Sequence, residues 1–228
     1  MELILKKTIL TRSAAVLVLG SALAACGGGT SKFTIEGDVY NLQTGTELIL
    51  ATNGMEVTVK QDKPADANGN LPVVHYAFPN QLEYGEVYNV LPKVVSTNAD
   101  GSVVYHRPAH QNCSPTTSAR ISDTAGRLSE IRADYACALV TPTIGGVVKG
   151  LTVGSVTLLN GSTGGQVTVS APTTAGDVGF VFSIPVTYGQ TYGVTVLSAD
   201  KVSCTVSNGA GTMGDDNVTN IVVNCTPI

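Results

Sequence analysis

Tryptophan is absent from this 228-residue chain, aromatics reach only 5% and charged side chains only 13%. The first two shortages leave little material for an aromatic platform on which sugar rings stack. The third removes the electrostatic footprint of a nucleic-acid binder, since 13 basic residues are outweighed by 17 acidic ones. Histidine is scarce too, at three. No G-x-S-x-G is present, so a Ser or Cys nucleophile has no visible partner, and the sequence predicts a non-enzyme without cofactor. A long apolar run is also missing. Ser13–Leu23 falls far short of the ~20 residues that a membrane-spanning helix needs.

What is present begins with that short run. Lys6, Lys7 and Arg12 precede it and small residues follow it, the layout of a cleaved secretory signal. The ending Leu23-Ala24-Ala25-Cys26 resembles the lipobox of bacterial lipoproteins. That resemblance implies cleavage before Cys26, a diacylated sulfur and an acylated new N-terminus. Residues 1–25 are then signal peptide, and 26–32 are the lipidated cysteine with its glycine-rich tether. The lipid on Cys26 would be the membrane attachment. Gly27 stands where lipoproteins of this type carry the aspartate of inner-membrane retention, which points to the outer membrane of the cell envelope.

Setting Cys26 aside leaves Cys113, Cys137, Cys204 and Cys225, an even set in an oxidising compartment. Three pairings are open to four cysteines. An internal repeat favours one of them. Ile35-Glu36-Gly37-Asp38-Val39 recurs as Ile144-Gly145-Gly146-Val147-Val148, and Tyr84-Gly85-Glu86-Val87-Tyr88 recurs as Tyr188-Gly189-Gln190-Thr191-Tyr192. Each copy closes with two cysteines, which favours Cys113–Cys137 and Cys204–Cys225. Within each copy the apolar period is two, in short segments separated by Gly, Asn, Pro and Asp. The chain reads as all-β, two tandem antiparallel β-sandwiches, at 33–140 (with an inserted hairpin near Val103–His106) and 143–228. Val140-Thr141-Pro142-Thr143 reads as a short linker.

The D-x-N-G turn, the strand ending in Phe78, Leu82 and the Tyr84-to-Val90 strand resemble a broad superfamily. It includes collagen-adhesin B-type and carboxypeptidase-regulatory-like repeats, with transthyretin-like or immunoglobulin-like sandwiches. The closing Cys204-to-Cys225 pattern is also similar to tandem repeats of proteobacterial lipoproteins of unknown function. The resemblance implies fold rather than activity. Collagen-adhesin B-type domains often carry a Lys–Asn isopeptide promoted by a buried Glu. Lys149 with Asn220 or Asn224 would supply the pair here, but no Glu follows residue 143, Asp177 being a substitute acid. A disulfide is expected in its place.

Other candidate sites weigh toward structural roles. Gly209-Ala210-Gly211-Thr212-Met213-Gly214 spells G-x-G-x-x-G, but a cysteine-bearing strand follows rather than a helix, so a flexible hairpin loop is expected. His106, His110 and Cys113 have metal-like spacing, yet Pro108 bars a helix and Cys113 is assigned to a disulfide. His75 is expected to face outward. Asp62, Asp66, Glu83 and Glu86 read as solvated turn acids rather than a glycosidase pair. Asp66-Ala67-Asn68-Gly69-Asn70 reads as a hairpin turn, not a calcium loop, because Leu71 and Ala77 stand where Gly and Glu are required. Asp215-Asp216-Asn217 reads as an exposed acidic loop. The function expected is display: a stalk or adhesin-like module binding protein or glycan through its loops, or an accessory subunit of an outer-membrane or secretion complex.

Overall fold

The computed structural model describes residues 31–174 and 176–228. The signal peptide, the lipobox and Cys26 lie outside the described residues.

The described chain is almost entirely β, and its one helical element is a 3₁₀ turn at Ser118–Arg120. Buried and less buried residues alternate along Ile35–Tyr40, Glu47–Thr52 and Ser155–Asn160. Successive side chains on a strand point to opposite faces, so one face of each strand enters a core. Two cores result. One gathers Ile35, Leu48, Leu50, Tyr88 and Tyr135; the other gathers Ile144, Leu158, Phe182, Met213 and Ile221. Each such side chain contributes roughly 1.5–3 kcal/mol by leaving water.

In the second half, Ile144–Lys149 lies between Val178–Val181 and Val218–Pro227, with Val202–Ser207 beyond. The facing sheet runs Gln166–Ser170, Ser155–Asn160, Thr191–Asp200, Ala210–Thr212. The first half repeats the plan, with Val74–Ala77 and Tyr135–Leu139 on either side of Ile35–Tyr40. Each half also holds parallel pairing, through two short segments in the first (Ile131–Arg132 and Tyr135–Leu139) and one strand in the second. The opening strand pairs parallel with the closing one, Val147 with Val222 and Tyr135 with Val39. A parallel neighbour needs a long crossover, and the body of each sandwich supplies it.

The repeat extends to individual hydrogen bonds. Phe78 N–H donates to Ile35 O (2.9 Å) as Phe182 N–H donates to Ile144 O (2.8 Å). Gly85 N–H meets Ala125 O and Gly189 N–H meets Met213 O, each at 2.9 Å. Tyr76 and Phe78 meet edge to face at 6.0 Å, and so do Phe180 and Phe182.

Two expectations are corrected here. The 66–70 turn does not close a hairpin. Met55–Lys60 pairs with Glu47–Thr52, while Val74–Ala77 pairs with Ile35–Tyr40 in another sheet, so 61–73 is a crossing connection. Asp66 shapes it by accepting the N–H groups of Asn68 and Asn70, both at 2.8 Å. Nor is the glycine-rich stretch at 209–214 a flexible loop. Ala210–Thr212 pairs with Thr191–Gly193, and Met213 is a fully buried core residue. The small residues there hid an edge strand whose single large side chain fills the core.

Buried phenols need acceptors, and these have them: Tyr135 donates to Val90 O at 2.8 Å, and Tyr76 to Ala133 O. Burial is the largest cause pushing the Tyr76, Tyr88 and Tyr135 hydroxyls above the ordinary value of 10.0. The folded chain therefore keeps protons that the unfolded chain releases. Stability from this source is intact below pH 10 and declines as the pH rises beyond it. In an alkaline absorbance titration, these phenolates should appear only as the circular dichroism of the sheets is lost. Ionisation of all eight tyrosines with the sheets intact would contradict that burial.

Candidate functional site

The four cysteines form two bridges that lie across neighbouring strands. Cys113 and Cys137 are register partners with Cα atoms 4.0 Å apart, and Cys204 and Cys225 are partners at 4.1 Å. Each ties the closing strand of its half to the strand beside it.

Cys113 is thus unavailable to the histidines. His106 Nδ1 accepts the Ile49 N–H at 3.3 Å, and the His106 backbone N–H donates to Lys93 O at 2.7 Å. It anchors the base of the hairpin Val94–Thr97/Val103–Tyr105. His110 goes elsewhere. Its Nδ1 lies 2.9 Å from both carboxylate oxygens of Asp215, Nε2 lies 3.0 Å from the Tyr188 hydroxyl, and the ring stacks on Tyr188 at 3.8 Å. Among the described residues no three His, Cys, Asp or Glu side chains converge as a metal group would.

The Asp215-Asp216-Asn217 loop, expected to be only exposed and acidic, helps build the junction between the halves. Asp215 holds His110, and Asn217 Oδ1 accepts the Thr143 N–H at 2.8 Å. The linker is further tied by Val140 N–H to His110 O, Val186 N–H to Pro142 O and Tyr188 N–H to Val140 O. Partners more than 70 residues apart left no local pattern to read.

The carboxylates do not pair for acid–base work. Glu86 accepts the Glu83 N–H inside one turn, and Asp62 faces Lys60 at 3.3 Å. The Asn70 N–H, helped by the Asn70 side chain, holds the Asp66 carboxyl below its usual range. A charge network that no motif announced lies on the outer face of the first sheet. Arg132 reaches Asp38 (2.7 Å), Asp134 (3.3 Å) and Glu36 (3.5 Å), and His75 lies 3.1 Å from Asp38. Its members satisfy one another.

Lys149 and Asn224 do face each other across the parallel pair, and Asp177 lies 3.6 Å from the Lys149 Nζ. Lys149 and Asp177 are half exposed and form an ion pair. The arrangement works as a surface salt bridge.

A concave polar surface remains that no motif announced. Residues 160–164, 184–187 and 190–193 of the second half line an open cleft of about 490 Å³. At its floor Asn160 is 4% exposed, and its Oδ1 accepts the Gly193 N–H at 3.0 Å. The corresponding position of the first half is Thr52, whose Oγ1 accepts the Asn89 N–H at 3.2 Å. The second half therefore swaps a hydroxyl for an amide, and asparagine for glycine at the partner. Its strand connection is also longer: Gly161-Ser162-Thr163-Gly164-Gly165 stands where the first half has Asn53-Gly54.

No family model matches this sequence, and no curated protein matches it. Among solved structures, the major pilin T-13 of Streptococcus pyogenes aligns with 88% of this chain and 98% of its own length, at 11% identity and a TM-score of 0.26. The C-terminal fragment of the pilus adhesin SpaC from Lactobacillus rhamnosus GG aligns with 87% and 98%, at 11% identity and 0.32. The shaft pilin spaA of that organism gives 14% identity and 0.24 over 87% of this chain and 99% of its own. With superposition at that level, the architecture rests on this chain's own strand pairing: an all-β protein of two sandwich-like halves, each closed by a cross-strand disulfide.

Proposed function

We propose that this chain is a non-catalytic lipoprotein of the cell envelope, a short stapled stalk that displays loops to a protein or glycan. One observation carries the reading. The two halves share core, turns, closing strand and disulfide, and what varies between them is exposed: an added hairpin in one, a longer loop and a cleft in the other. Rigid scaffolds with variable loops are the usual platform of recognition. The hydrogen-bonded linker and the His110 contact hold the halves together, as a stalk requires. The anchor in this reading is a lipid on Cys26, and the address is the outer membrane.

A second reading has its own observation. The hairpin leaves Val94, Val95, Val103, Val104 and Tyr105 between 38% and 55% exposed, beside a cavity lined by Met55, Leu91 and Pro92. An apolar patch of that kind suits a protein partner, as an accessory subunit of an envelope complex would need.

Two measurements test the proposal on intact cells. Metabolic labelling with a palmitate analogue should tag the protein and be lost in Cys26→Ser. Externally added protease should cut the second half from whole cells. Protection of that half until the outer membrane is opened would overturn surface display and leave the accessory reading.

A further inference from the structure

We infer that the cleft between residues 160–164 and 184–193 binds a neutral, hydroxyl-rich ligand, one or two sugar units of a glycan. The inference rests on the display reading and names what one of the displayed surfaces would hold.

The first argument is charge. No Asp, Glu, Lys, Arg or His is among the residues lining the cleft. A phosphate, a carboxylate or an ammonium would enter without a counter-charge, at a large desolvation cost. A neutral ligand does not meet that penalty.

The second argument is the kind of polar group present. Ser162, Thr163, Thr187, Thr191, Gln190 and Tyr192 line the walls. Hydroxyls and amides both donate and accept, so the array matches a ligand that does the same at successive positions. Sugar hydroxyls have that property, whereas an extended peptide offers fixed donors and acceptors at a strand spacing. Ile184 and Pro185 are exposed beside these groups and present an apolar wall to the C–H face of a ring. The protein's shortage of aromatics is then no obstacle, because hydrogen bonds and one apolar wall replace stacking. The volume of about 490 Å³ falls within the range of small-molecule sites.

The third argument is the comparison of the two halves. Thr52 uses both halves of its hydroxyl, accepting the Asn89 N–H and donating to Asn53 Oδ1 at 2.8 Å. Asn160 spends only its carbonyl oxygen on Gly193, which leaves an amide donor at the floor of the cleft. A Cβ at 164 would lie 2.4 Å from both the Asn160 Nδ2 and the Asn160 backbone oxygen, so the turn requires glycine there, and that glycine also leaves the donor uncovered. Above Gly193 there is open space, with no atom within 4 Å of where a Cβ would be. The first half fills the equivalent place with Asn89. The donor, the gap and the longer loop coincide in one half only.

Two substitutions therefore borrow from the first half what is known to fit the sandwich. Asn160→Thr keeps an acceptor for the Gly193 N–H and exchanges the amide donor for a shorter hydroxyl that no longer reaches into the cleft. Gly193→Asn fills the gap. The probes are methyl glycosides of glucose, galactose, mannose and N-acetylglucosamine, added to ~50 mM because a single sugar without stacking is expected near the millimolar range. Amide resonances of the full-length chain in phosphocholine micelles are followed by NMR. At least one sugar should move Thr191, Gly193 and the Asn160 side-chain amide saturably, and both variants should weaken that binding tenfold or more while retaining the wild-type spectrum elsewhere. No saturable shift at the cleft with any of the four overturns the inference. So does a sulfated disaccharide that binds there more tightly than the neutral sugars. Shifts confined to other loops overturn the cleft assignment and leave display standing, since display itself is read from the protease experiment.

Discussion

Reducing the disulfides should lower the melting temperature by roughly 12–24 °C for each half. Each bridge closes a short loop, spanning 24 and 21 positions, and in the chain-entropy model such a loop is worth about 3 kcal/mol. For a unit of ~100 residues, 1 kcal/mol moves the midpoint by about 4–8 °C, and the whole net stability is about 5–15 kcal/mol. A bridge is therefore a large fraction of what holds each half folded. The cores do not make it redundant, being built from aliphatics and six buried aromatic rings shared between two halves, with no tryptophan. The paired variants Cys113→Ala/Cys137→Ala and Cys204→Ala/Cys225→Ala separate the two contributions. The cores share no residue, so each pair should shift mainly the transition of its own half. An unchanged melting curve in reductant, with four thiols titrated, would remove the staple from the account.

The strands, the repeat and the cysteine pairs were legible because each leaves a local mark. Period-two apolar residues flag Ser155–Asn160 and Gln166–Ser170, and Phe78 and Phe182 recur in the same setting. What stayed hidden is what depends on distant partners. Arg132 collects carboxylates from 94 and 96 positions away, and His110 finds Asp215 at 105. Neither pair has spacing or composition to betray it. Met213 was masked differently. One large apolar residue among glycines reads as a loop, and only the pairing of Ala210–Thr212 with its neighbour turns that residue inward. The cleft is legible only by comparing the halves, as an added loop at 161–165 and a missing side chain at Gly193.

The glycines at positions 37 and 146 recur for a reason of geometry, and it yields the other large expected effect. Gly146→Ala should destabilise the second half by about 3 kcal/mol or prevent its folding, the upper end of overpacking costs. In the parallel pair, Ile144 partners Val218 but Gly146 partners Ile221, so the closing strand carries one extra residue there. Such a bulge bends the strand over its neighbour. It carries the Ile221 carbonyl so close that a Cβ on Gly146 would lie 1.9 Å from its oxygen. The first half has the same contact, with the Ala133 oxygen 2.3 Å from the Cβ position of Gly37. Both obstacles are backbone, so no rotamer change relieves them, and relief requires breaking the pairing that closes the sandwich. Gly179→Ala on the adjacent strand is the control. Its nearest neighbour would be 3.9 Å away, so lost unfolded-chain freedom should leave it neutral or stabilise it by a few tenths of a kcal/mol. Urea unfolding of the three proteins measures the difference. If Gly146→Ala and Gly179→Ala unfold within ~0.5 kcal/mol of each other, the closing strand does not cross the opening one as described. If Gly146→Ala alone collapses, the recurring glycine marks where each repeat is shut.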